Sequence, residues 1–222
     1  MEILRASIAV GRSQQLALRY RSPLEIRREE LSRYFSKSAS LALCYQGFGT
    51  NCDLSQAEGA GRAAFLSCAY DVATDWREDD PKWPAIFEQI VRREASPELA
   101  EMALDLYRRD AGESLTDDGL ERGIIAFRFV LSMMGLTEQF QKKTDIDNLG
   151  LLLQVVDDVL DYESDTTTGD LNCINSPKAQ EYLHRLDTEM TDAQIRLLFP
   201  NSRLLFYVIR NSRRKAHKLL KA

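Results

Sequence analysis

Apolar residues along this chain return at intervals of three and four, and little interrupts them: 222 residues contain only six prolines and eleven glycines. That spacing places the apolar side chains on one face of successive helices. Sustained strict alternation, the mark of half-buried strands, is missing. The pattern therefore predicts an all-α chain in a single domain, residues 1–222, built as a helical bundle. Breakers and caps divide it further. Ser22-Pro23-Leu24-Glu25 has the form of a helix start, with the helix running to about Tyr45. Gly47, Gly49 and Asn51 then form a loop, and Asp53 or Ser55 caps a helix reaching Trp76. Residues Arg77–Trp83 form a surface connection, Pro84–Ala95 a further helix, and Ser96-Pro97-Glu98 opens one that passes Arg108. Later helices are expected over Asp117–Met134, Thr144–Glu163 (ending before Thr166), Pro177–Met190 and Asp192–Phe199, with a last basic one from Ser202.

Composition narrows the function. The formal charge is −5, which disfavours nucleic acid as a partner. Four cysteines form no CxxC pair, and the two histidines, His184 and His217, lie too far apart in sequence for a zinc cluster. A reduced, cytoplasmic protein is the simplest expectation. Residues Met1–Gln15 lack the apolar core of a signal peptide, and runs such as Leu151–Val156 are too short to span a bilayer.

The acidity is concentrated in two places. Asp157, Asp161 and Asp165 stand at i, i+4 and i+8 in Gln154-Val155-Val156-Asp157-Asp158-Val159-Leu160-Asp161-Tyr162-Glu163-Ser164-Asp165, so they share one helical face. Like charges at this spacing cost a few tenths of a kcal/mol per exposed pair. No basic residue occurs between Lys143 and Lys178 to offset them locally. A divalent cation would supply the missing charge, and oxygen-only ligands suit Mg²⁺. The alternative is an ordinary solvated face. A second pair, Asp71 and Asp75, sits in the apolar run Phe65–Trp76, about eighty residues upstream. In a bundle, two such faces can oppose each other across an apolar cavity and clamp a diphosphate through bridging metals.

These residues resemble a known family. Asp71-Val72-Ala73-Thr74-Asp75 is similar to the first aspartate motif of the squalene and phytoene synthases, and Gln154-x-x-Asp157-x-x-x-Asp161-Tyr162-x-x-Asp165 to their second. Ser36-Lys37-Ser38-Ala39-Ser40-Leu41 resembles the serine-bearing block ahead of the first motif. Gly169-Asp170-Leu171-Asn172 looks like the corresponding tail in the tetraprenyl-β-curcumene synthase group, terpene cyclases of the same class I fold. The resemblance implies an isoprenoid synthase fold with a central cavity and Mg²⁺ held by Asp71, Asp75, Asp157, Asp161 and Asp165. It also places Ser38, Ser40 and Asn172 near the diphosphate of a prenyl substrate. The implied partners are that prenyl diphosphate and, where the chain self-associates, a second copy in a homodimer.

The chain also departs from the family. It is shorter than most relatives, Cys68 stands where the curcumene-synthase group has another aspartate, and Ala126–Gly135 replaces the tyrosine- and glycine-bearing block of head-to-head synthases. The last departure favours cyclisation of one prenyl diphosphate over condensation of two. Three rivals remain: a head-to-head prenyl synthase of the squalene/phytoene type, a metal-dependent nucleotide pyrophosphohydrolase, disfavoured because all five carboxylates are aspartates, and a non-catalytic helical partner of a prenyl synthase. Bland roles stand beside the chemical ones. Ser38 and Ser40 suit helix contacts, Asn172 a loop or cap, and Tyr70, Trp76, Phe127, Phe129, Met133 and Met134 a plain core. The basic run from Arg210 to Lys218 complements a helix dipole. Arg122, Arg128, Lys142 and Lys143 are further candidates for diphosphate contact.

Overall fold

A computed structural model of the chain describes residues 2–48, 52–74, 81–111, 120–141, 146–169, 172–199 and 203–221. These residues form eleven α-helices and one 3₁₀ turn, with no strand among them. The helices are α1 (Glu2–Arg19), α2 (Leu31–Phe48), α3 (Leu54–Thr74), α4 (Trp83–Glu94), α5 (Pro97–Ala111), α6 (Leu120–Met133), α7 (Thr137–Gln141), α8 (Ile146–Thr168), α9 (Ala179–Glu189), α10 (Asp192–Leu198) and α11 (Arg203–Leu219); the 3₁₀ turn is Cys173–Asn175. The expected all-α class is what the chain adopts. None of the described helices is long and apolar enough to cross a membrane. Two compact units result: Met1–Ala111 with Phe129–Thr137, and Gly112–Arg128 with Glu138–Ala222.

In the first unit α1, α2 and α3 pack on one another, and α3 also meets α4 and α5. The sequence of α3 explains its central place. It is rich in alanine and glycine, and Ala57, Ala60, Ala63, Ala64, Phe65, Cys68, Ala69 and Val72 are all buried, so helices cover it on nearly every side. Asp53 caps it: its Oδ1 accepts from Gln56 N at 2.8 Å, and Gln56 Oε1 accepts from Asp53 N at 2.8 Å.

Two expectations fail here. Helix α1 was not anticipated, although its buried residues Ala9, Ser13, Leu16 and Ala17 follow helical spacing. And Pro23 does not open a helix; α2 begins at Leu31. Leu24 and Ile26 are both buried, at 1% and 5% exposure, and residues two apart cannot share a helix face. Instead the chain turns tightly. Leu24 N donates to Tyr20 O, Ile26 N to Arg21 O, and Glu25 takes a left-handed φ of 47°.

In the second unit α8 packs with α11, α9 and the 3₁₀ turn. Residues 120–128 of α6 cross α8 at a pair of glycines: a Cβ on Gly150 would lie 2.9 Å from Ile124 Cα, and one on Gly123 would lie 2.5 Å from Gln154 Cβ. Helix α8 also runs a turn further than expected. Thr166 and Thr167 donate their hydroxyls to the carbonyls of Tyr162 and Glu163, each at 2.7 Å, and so prolong the helix rather than ending it. It stops at Gly169, whose φ of 85° suits glycine and whose N–H donates to Asp165 O. Asp165 therefore lies inside the helix. The helix before Thr191 and the one after it form as expected, joined by a capping box between Thr191 and Gln194.

Candidate metal and diphosphate site

The aspartates of α8 divide by burial. Asp157 and Asp161 are exposed one turn apart, on either side of Leu160, which is itself 61% exposed. Asp161 makes no ion pair or hydrogen bond among the described residues. Asp165 is half-buried, and its Oδ2 accepts from Asn172 Nδ2 at 2.7 Å.

Asp158, to which the sequence assigned no role, is buried at 5% exposure. Its Oδ1 accepts from Gln154 Nε2 and its Oδ2 from Cys173 N, each at 2.7 Å. Burial pushes this carboxyl above the usual carboxylate range, against the opposing pull of the hydrogen bonds from Cys173 and Gln154 and of the Arg122 charge. Asp158 thus ties the turn after α8 back onto the helix. The spacing Gln154-x-x-x-Asp158 was a visible signal for this, since side chains at i,i+4 meet on a helix.

Asn172 lies within that turn. It is 4% exposed. Its Nδ2 donates to Asp165 Oδ2 and also to the Asp158 carbonyl at 2.7 Å, while its Oδ1 accepts from Ile174 N at 3.0 Å.

From the other side, Lys215 of α11 donates to the Val159 carbonyl at 3.1 Å, bringing an ammonium to the middle of the acidic helix. No local reading of α8 could reveal this cation. The rest of the C-terminal basic run is largely tied into its own unit. Arg213 binds Asp187 and donates to Met190 O at 2.9 Å, Arg210 pairs with Asp192 at 3.5 Å, and His217 lies 2.9 Å from Asp187.

In the first unit, Asp71 is half-buried near the end of α3 and pairs with Lys37 of α2. Asp75 and Trp76 lie outside the described residues. Ser38 is buried and its hydroxyl donates to Cys68 Sγ at 3.3 Å, whereas Ser40, two residues on, is exposed. The two serines therefore stand on different faces of α2. Burial drives the Cys68 thiol up to about 12, with Asp71 adding to the rise. Burial likewise raises the phenol of Tyr34, with Cys68 and Asp71 nearby. Cys68 thus occupies a neutral, buried position that bonds to α2.

The remaining candidates spread out. Arg128 grips Asp147 through two hydrogen bonds of 2.8 and 2.7 Å. Lys142 and Lys143 lie outside the described residues. Tyr70 stacks edge-on with Phe87 and Tyr107, and Phe127 with Phe140. Phe129 and Met134 are buried, and Met133 is half-exposed. Among the described residues no three His, Cys, Asp or Glu side chains converge closely enough to hold a metal ion by themselves. Set against protein-family models, curated proteins and solved structures, the chain matches none.

Proposed function

We propose that this chain is a class I terpene synthase, which ionises a linear prenyl diphosphate and cyclises the resulting carbocation. The observation that carries the reading is the exposed pair Asp157 and Asp161 on α8, one turn apart, with Asp165 completing the row. Charges so placed repel one another, and Asp161 has no cation of its own among the described residues.

The donor set fits Mg²⁺. A magnesium site uses one or two carboxylates and leaves its other positions to water and phosphate oxygens, so a three-carboxylate cage is not required. Asp157, Asp161 and Asp165 would hold the ion at one motif, and Asp71 with Asp75 at the other. When bound, Mg²⁺ supplies Lewis-acid stabilisation of the departing diphosphate. In the reaction the allylic C–O bond would break heterolytically, its electron pair would leave with the diphosphate, a double bond of the same prenyl chain would close on the cation, and the new cation would be discharged by loss of a proton. Lys37 bears on readiness. While paired with Asp71 it occupies a carboxylate that a cation would need.

Incubating purified protein with Mg²⁺ and farnesyl, geranylgeranyl and longer prenyl diphosphates, then weighing the hydrocarbon products, tests the reading. A Mg²⁺-dependent product with the carbon count of one substrate supports a cyclase. Doubled carbon count moves the function to head-to-head condensation. No product from any substrate removes the enzymatic reading.

A further inference from the structure

The Asn172 side chain is buried and turned toward its own chain. We propose that Asn172 is a positioning residue: it holds the Asp165 carboxylate in one orientation with its charge intact, ready for a divalent cation. This rests on the metal reading of the α8 row given above.

The amide can sit only one way. Both hydrogens of Nδ2 are directed to acceptors, the Asp158 carbonyl and Asp165 Oδ2, each at 2.7 Å. Its Oδ1 takes the N–H of Ile174 at 3.0 Å. Exchanging the two ends of the amide would set the NH₂ group against the Ile174 N–H and the oxygen against two acceptors, so every bond would be lost. The orientation is fixed by its partners.

The platform beneath it is equally constrained. Asn172 caps the 3₁₀ turn Cys173–Asn175. Cys173 N is bound by Asp158 Oδ2, Asp158 Oδ1 is bound by Gln154 Nε2, and Gln154 lies against Gly123, where a Cβ would fall 2.5 Å from its own. A chain of contacts thus runs from α6 through α8 to the turn and ends on Asp165.

The nature of the final contact separates positioning from plain stabilisation. Asp71 meets a lysine, whose charge cancels its own. Asp165 meets a neutral amide. The amide restrains Oδ2 but leaves the negative charge in place, and Oδ1 has no partner among the described residues. Partners of this kind orient metal ligands, and losing one typically weakens metal affinity by about 10- to 100-fold.

The test is titration of the full chain with Mn²⁺, read by the paramagnetic resonance of the free ion. Asn172→Ser keeps a side-chain oxygen to cap the 3₁₀ turn but cannot reach Asp165, and Asn172→Ala serves as a second variant; circular dichroism checks that each is folded. The expected result is a loss of Mn²⁺ affinity of roughly 10- to 100-fold in N172S. Asp165→Asn should lose at least as much, and N172S/D165N no more than D165N alone. Wild-type affinity in N172S and N172A beside a weakened D165N overturns the positioning role, as does a further loss on adding N172S to D165N. Wild-type affinity in D157N, D161N and D165N alike overturns instead the metal reading on which it rests.

Discussion

Helices α3 and α8 both carry aspartates in apolar sequence, and they treat them in opposite ways. On α3 the helix is covered on nearly all sides, and Asp71 meets a cation, Lys37, from the neighbouring helix. On α8 the aspartates are sorted by face. Asp158 goes inward and is met by two neutral donors, Gln154 and the Cys173 N–H, while Asp157 and Asp161 stay outside. Burying a carboxylate is costly unless its lone pairs are filled, and Asp158 fills both oxygens from residues before and after it in sequence, with the Arg122 charge also favouring its ionised form. The lesson is that an aspartate in an apolar helix can be a neutralised partner, a buried clasp or an exposed carboxylate. Only its surroundings decide which.

The largest effect should come from the exposed row. Asp161→Asn is expected to lower turnover by on the order of 100- to 1000-fold while leaving the helical dichroism spectrum nearly intact. A wild-type rate would remove Asp161 from the site. Next comes the clasp. Asp158→Ala leaves the Cys173 N–H and the Gln154 amide without their acceptor and should cost about 3 kcal/mol in denaturant unfolding. Asp161→Ala, at an exposed position, should change stability by no more than about 0.5 kcal/mol. Equal losses for the two would erase the division of α8 into an inner and an outer carboxylate.

Smaller effects sharpen the α3 side. Lys37→Met removes a partly exposed ion pair and should cost up to about 1 kcal/mol, with Mn²⁺ binding unchanged or tightened because Asp71 no longer has a competitor. Weakened Mn²⁺ binding would instead mean that Lys37 supports the site. The last effect appears only in alkali. The fold holds Cys68 as a neutral thiol and raises it to about 12, so that contribution is fully present below its unfolded value near 9 and is lost as pH rises through 12. Tyr20, whose phenol donates to Glu94 at 2.6 Å and is likewise raised to about 12, acts in the same direction from about 10 upward. Unfolding curves should therefore show declining stability above pH 9, with a shallower decline in Cys68→Ala. An unchanged slope in that variant would show that the thiol is not held neutral.

Much of the local structure was legible in the sequence. Asp53, Ser96 and the run at Asp192 each marked a helix start, because capping depends on residues within one turn. The shared face of Asp157, Asp161 and Asp165 follows from helical spacing alone. Pro23 misled because a proline suits a tight turn as well as a first helical turn, and the burial of Leu24 together with Ile26 decided for the turn. The three threonines after Asp165 misled in the same way, since their hydroxyls can end a helix or bond back into it.

What the sequence by itself determined is the helical class, most of the caps and the spacing of the acidic row, all consequences of contacts within four residues. The tertiary structure alone decided that Asp158 rather than Asp157 is buried, that Lys37 meets Asp71, and that Asn172 turns inward to Asp165. It also brought Lys215 to α8 from 56 positions away. The physical reason is range. Periodicity fixes which side chains share a face, but burial and charge pairing depend on what covers that face, and the covering residues come from elsewhere in the chain.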